Sequence, residues 1–121
     1  SDLLTIMQAT TNGTLADTEV KFSDGAACCV IMASSGYPEH YEKGFAITMP
    51  AETAANTYVA GAKRENDRLL TSGGRVLGVT ATAADLKSAV EKAYERVESV
   101  QFENAFYRRD IGRRALEAFK K

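Results

Sequence analysis

Ser72-Gly73-Gly74-Arg75 is the segment of this 121-residue chain best equipped for chemistry. Two consecutive glycines carry no Cβ, so their backbone N–H groups can come close to a bound anion. A guanidinium directly after them can hold a phosphate or carboxylate through two parallel hydrogen bonds. The same residues also make an ordinary glycine turn or bulge between strands with a surface arginine beside it. The local pattern alone weighs toward that plainer reading.

Other candidates are fewer. His40 is the single histidine, in a loop rich in tyrosine and proline, and spacing names no acid or base to work with it. Cys28 and Cys29 are adjacent inside the apolar run Ala26–Ala33. In a strand such neighbours point to opposite faces and are badly placed for a disulfide, and a metal site would need further thiol or imidazole ligands. Two reduced core cysteines are expected. No G-x-S-x-G pattern occurs, and no catalytic residue and no metal ligand is assigned within the chain. Arg108, Arg109, Arg113 and Arg114 form a basic cluster, but Asp110 interrupts it, Glu103 and Glu117 flank it, and the net charge is −1. Binding by counterion release wants a broad basic face with little acid in it. Ion pairs with the rest of the fold are expected of this cluster, and nucleic acid is not expected as a partner.

The elements that must position these residues can be read from periodicity. Leu3, Leu4 and Met7 make an apolar helical stripe, with Ser1 or Asp2 as its cap and Asn12-Gly13 as its stop. Ala26–Ala33 is continuously apolar and reads as a strand covered on both faces. Phe45–Thr48 is a short strand candidate. Thr57–Ala62 and Arg68–Thr71 flank a polar hairpin loop, Lys63–Asp67, in which Asn66-Asp67 make the turn. Arg75–Ala81 is another strand. Thr82 and Asp85 have capping-box spacing ahead of a helix over Ala84–Val100, whose Leu86, Ala89, Val90, Ala93, Tyr94, Val97 and Val100 share one face. A last helix begins near Asp110, capped by that carboxylate and weakened by Gly112, and presents Ile111, Ala115, Leu116 and Phe119.

Many short strands before any long helix point to an α+β domain with a small antiparallel sheet. No apolar run approaches the ~20 residues that span a bilayer, and no leader pattern stands at the start, so a cytoplasmic domain without a membrane partner is expected.

Ser35-Gly36-Tyr37-Pro38, Tyr41-Glu42-Lys43-Gly44, Thr71-Ser72-Gly73-Gly74-Arg75-Val76-Leu77-Gly78-Val79-Thr80-Ala81 and Phe106-Tyr107-Arg108-Arg109-Asp110-Ile111-Gly112 occur in this order. Together, from Ser1 to Leu116, they resemble the C-terminal region of the phosphoribosylamine–glycine ligase (glycinamide ribonucleotide synthetase) family. The resemblance implies a small antiparallel sheet of the rudiment hybrid motif type, packed with the long helix and a C-terminal helix. It implies that residues 1–13 are the terminal helix of a preceding ATP-grasp domain and residues 14–121 the ligase's C-terminal domain, in keeping with a chain that begins in mid-element. The family joins glycine to 5-phosphoribosylamine with ATP hydrolysis and Mg²⁺ or Mn²⁺ in de novo purine (IMP) biosynthesis. ATP and metal are expected mainly on the missing ATP-grasp and N-terminal domains of the same polypeptide, so this chain alone is expected to be inactive. The resemblance makes Ser72, Gly73, Gly74 and Arg75 the candidates for contact with the phosphoribosyl group, with Lys63 and Lys43 as further candidates for the same anion. A stand-alone sugar-phosphate or anion-binding module and a structural docking domain are the alternative readings.

Overall fold

Two nine-residue strands form the spine of the molecule, β1 (Ala26–Ser34) and β5 (Arg75–Ala83), paired antiparallel with Val30 opposite Val79 and Met32 opposite Leu77. The structure, a computed structural model, describes residues 1–118. Before β1 comes α1 (Leu3–Asn12), which opens where the Asp2 carboxylate accepts the Thr5 N–H at 2.8 Å and closes at Gly13 in the left-handed region, φ 72°. Between β1 and β5 lie the one-turn helix α2 (Ala51–Ala54) and the strands β2 (Thr57–Val59), β3 (Ala62–Glu65) and β4 (Arg68–Thr71). After β5 come α3 (Leu86–Glu98), β6 (Ala105–Tyr107) and α4 (Arg113–Ala118).

The main sheet has the order β2-β5-β1-β6 and the hairpin β3-β4 stands as a second sheet, with every pairing antiparallel. This is the α+β architecture expected. Helix α3 covers one face of the main sheet, because Ala89, Val90, Ala93 and Val97 fall on a single helical stripe and meet Val30, Met32, Leu77, Val79 and Ala81. Full burial of a side chain such as Leu77, at 0% exposure, stabilises by about 1.5–3 kcal/mol.

Several expectations are corrected. β1 is not covered on both faces: Cys28, Val30 and Met32 are buried while Ala27, Cys29 and Ile31 are exposed, because α3 protects one side only. Cys28 is therefore a core thiol, pushed up from its ordinary pKa by burial, whereas Cys29 is not in the core. Thr57–Ala62 is not one strand. β2 pairs with β5, the chain turns at Ala60-Gly61, and β3 begins at Ala62. Lys63–Glu65 is paired strand, so the hairpin turn is Asn66-Asp67 alone, both at positive φ (48° and 58°), as a two-residue turn matched to strand twist requires. Phe45–Thr48 makes isolated bridges, Ala46 to Leu70 and Thr48 to Gln101, and no strand.

The helix boundaries also move. Thr82 belongs to β5, and Asp85 is itself the cap of α3, its carboxylate accepting the Ser88 N–H at 2.9 Å and the Ser88 hydroxyl at 2.7 Å. The carboxylate of Asp110 receives the Arg108 side chain, and α4 starts three residues later. Gly112 precedes α4 at φ 84°, where a Cβ would fall 2.7 Å from Val90 Cγ2, so it is a tight packing point and no weak spot of the helix. Phe119 lies outside the described residues.

Candidate functional site

Between β4 and β5 the chain crosses Ser72-Gly73-Gly74, and the surrounding backbone holds this crossing on two sides. The N–H groups of Ser72 and Gly73 both donate to the carbonyl of Gly61, at 2.8 and 2.9 Å, and the Gly61 N–H donates to the carbonyl of Arg75 at 2.7 Å. From the other side the Ser34 N–H donates to the Gly74 carbonyl at 2.8 Å, and the Ser34 hydroxyl donates to the Gly73 carbonyl at 3.1 Å. Two of the amides that the sequence reading offers to an anion are thus already used within the fold. The glycines serve close backbone approach: a Cβ on Gly61 would fall 2.8 Å from the Gly73 Cα, and one on Gly74 would run into the ring of Tyr37.

Arg75 reaches the surface through an irregularity. Leu77 pairs with Met32, but the next pair is Arg75 with Ala33, so Val76 is the extra residue of a β-bulge. Without it, Arg75 would share the inward face of Leu77 two residues on. With it, Val76 and Leu77 are both buried and Arg75 is exposed on the opposite face, beside Ile31. Ile31, Tyr37, Ala60, Gly61, Gly74 and Arg75 line an open depression of about 500 Å³. Among the described residues Arg75 makes no ion pair, which leaves its guanidinium available to a ligand.

The two lysines fare differently. Lys43 lies 5.4 Å from the ring centroid of Tyr41, whose ring meets that of Tyr37 edge-on at 5.8 Å, so it joins the depression at one remove. Its loop is tied to β4, where the Thr71 carbonyl accepts the Gly44 N–H at 2.8 Å and the Thr71 hydroxyl accepts the Phe45 N–H at 3.1 Å. Lys63 points its ammonium at Glu65, 2.7 Å away, which holds the Glu65 carboxyl below its usual range, and it does not line the depression. His40 is exposed in the loop beyond Tyr37.

The arginine cluster near the C-terminus is mostly paired within its own segment. Arg108 donates to both oxygens of Asp110 at 2.9 and 2.7 Å, Arg113 lies 4.0 Å from Asp110 and 3.9 Å from Glu117, and Arg109 stacks 5.1 Å over Tyr107. The Tyr94 hydroxyl anchors this segment to α3 by donating to the Arg108 carbonyl at 2.7 Å and accepting the Ile111 N–H at 3.0 Å. Among the described residues no three His, Cys, Asp or Glu side chains gather into a group that could hold a metal ion.

Sequence patterns single out Arg75 and the glycines as candidates but not the residues that place them. Gly61, Ser34 and Tyr37 lie 12, 39 and 37 residues from Gly73, Gly73 and Gly74 respectively by their numbering. No local pattern carries contacts of that range. The glycine-rich motif signals a close approach without saying what approaches.

Residues 27–114 match the family model described as phosphoribosylglycinamide synthetase, C domain. The phosphoribosylamine–glycine ligase of Chlorobaculum tepidum is 43% identical over 120 residues, which is 96% of this chain and 28% of that protein. That of Rhizobium meliloti is 44% identical over 118 residues, again 96% of this chain and 28% of the relative. The crystal structure of the phosphoribosylamine–glycine ligase from Thermotoga maritima superposes with a TM-score of 0.73 at 36% identity, covering 87% of this chain and 27% of that one. The chain thus spans little more than a quarter of the length of the relatives it matches.

Proposed function

The chain belongs to the family of phosphoribosylglycinamide synthetase C domains, and from that premise we propose that it is the substrate-closing C-terminal lobe of a phosphoribosylamine–glycine ligase. The observation that carries the reading is similarity along 96% of the chain to proteins of that name, of which it spans only 28%. In the proposed reaction the glycine carboxylate attacks the γ-phosphorus of ATP, giving glycyl phosphate and ADP. The amine of 5-phosphoribosylamine then attacks the acyl carbon and expels phosphate, leaving glycinamide ribonucleotide for purine synthesis.

This lobe would bind and orient substrate and perform no bond-making step. Arg75, outward-facing and without an ion pair among the described residues, is the proposed partner of the sugar phosphate. Ser72, Gly73 and Gly74 would shape the wall behind it, and Lys43 would add positive potential across the tyrosine pair. Lys63, engaged with Glu65, would contribute least. ATP and Mg²⁺ or Mn²⁺ would bind on the remaining domains of a cytoplasmic enzyme, and α1 would be the last helix of the domain that precedes this one. The isolated chain would then be inactive. No helix among the described residues is long and apolar enough to cross a membrane.

The test is kinetic, on the full-length polypeptide. Arg75→Ala should raise the KM for phosphoribosylamine roughly tenfold or more, as expected for losing a charged hydrogen bond of about 1.5–3 kcal/mol. The KM for ATP should stay near its original value. Equal changes in both constants, or none, would remove Arg75 from the site. A full-length polypeptide without ligase activity would overturn the whole reading.

A further inference from the structure

We propose that the outer face of the four-stranded sheet, the one turned away from α3, is the surface on which the rest of the polypeptide docks, with Arg75 at the edge of that seam. The proposal rests on the reading of the chain as one lobe of a longer ligase and identifies which face meets the remainder.

An antiparallel sheet with one free face normally alternates, apolar inward and polar outward. Here the outward positions depart from that rule at the centre of the sheet. The strand register aligns Tyr58 of β2 with Gly78 of β5 and Gly78 with Ile31 of β1, and at the next position on the same face of β1 it aligns Ala33 with Phe106 of β6. Opposed residues share a face, so these side chains form one apolar row running across all four strands. Tyr58, Phe106 and Ile31 are 72%, 55% and 45% exposed. Cys29 lies on the same face, and Gly78 leaves a recess between Tyr58 and Ile31 that a Cβ would begin to fill, 3.3 Å from the Cys29 sulfur. Clustered exposed aromatic and aliphatic groups of this kind mark an interaction surface.

The occupant follows from the proportions of the family. A relative's polypeptide is more than three times as long as the span this chain covers, and the matching span is its C domain, so the bulk of such a polypeptide precedes it. Arg75, turned outward by the bulge, stands at the margin of the row beside Ile31. An anion held by Arg75 would then lie where the two surfaces part, with the second wall supplied by the docked domain.

Cys29 offers a probe that leaves the surface intact. In the full-length polypeptide, alkylation of Cys29 by iodoacetamide, located by peptide mass spectrometry, is compared with that of a cysteine introduced as Lys92→Cys on the exposed side of α3. Each rate is normalised to its value in denaturant. A docked face should slow Cys29 roughly tenfold or more, since a covered group reacts only through local opening, and Tyr58→Glu should restore its reactivity. Protection that disappears on dilution would mean that a second copy covers the face, and would overturn the proposal. So would a Cys29 that reacts as fast as the introduced cysteine. If the polypeptide is an active ligase and Cys29 reacts freely, the docking face is wrong and the functional reading survives. If Cys29 is protected in a polypeptide without that activity, the face stands and the functional reading falls.

Discussion

The ring of Tyr37 fills the space that a side chain on Gly74 would need. This contact seats the loop after β1 against the turn that leads to Arg75, and it gives the second glycine of the Gly73-Gly74 pair a packing reason. Ser34, at 0% exposure, reinforces the seat through its two hydrogen bonds to the same turn.

Gly74→Ala is therefore expected to destabilise the domain by about 1–3 kcal/mol, the usual cost of overpacking. Part of that loss should be recovered in a Gly74→Ala, Tyr37→Ala double variant, where the methyl group enters the space vacated by the ring. Denaturant melts of the four-member cycle read the coupling. Strictly additive effects would show that the two residues do not share this space.

Gly112 is expected to resist substitution for two separable reasons, its φ of 84° and the approach of Val90 Cγ2. Gly112→Ala should cost about 1–2 kcal/mol from the left-handed backbone, with the clash in addition. Adding Val90→Ala would relieve the clash but leave the backbone cost. Urea unfolding of the single and double variants distinguishes the two contributions; a neutral Gly112→Ala would contradict both.

Acid sensitivity should concentrate at the start of α3. Hydrogen bonds from the Ser88 N–H, first, and the Ser88 hydroxyl hold the Asp85 carboxyl below its ordinary value of about 3.9. A depressed carboxyl contributes stability that is fully present above the unfolded value and is lost as pH falls through the folded value. The wild-type chain should thus be more stable than Asp85→Asn at pH 7, and the gap should narrow below about pH 3.9. Thermal melts across that range measure it, and a gap independent of pH would show that the charge is not involved. The Asp110 carboxyl, held down chiefly by Arg108, should add to the same acid transition.

Much of the fold can be read from the residues alone. The stripe Ala89, Val90, Ala93 and Val97 specifies α3 and its buried face, Asn66-Asp67 specifies the β3-β4 turn, and Gly13 ends α1, because each rests on interactions within a few residues. The same locality explains the errors. Thr82 and Asp85 have the spacing of a capping box, but Thr82 is drawn into the β1-β5 ladder opposite Ala27, a partner 55 positions away in the numbering.

The Ser72–Arg75 run shows where the division falls. Its residue types determine that the backbone can pass closely here and that a permanent positive charge follows. Whether the glycine amides face a ligand, and on which side of the sheet Arg75 emerges, depend on Gly61, Ser34 and the extra residue Val76 in the β1-β5 register. In the same way, the apolar run of β1 determines a strand but cannot say that one of its faces stays open. These features come from pairings between distant segments, which form only once the whole sheet is assembled. Tertiary structure therefore assigned two of the amides to the fold and the arginine to the surface.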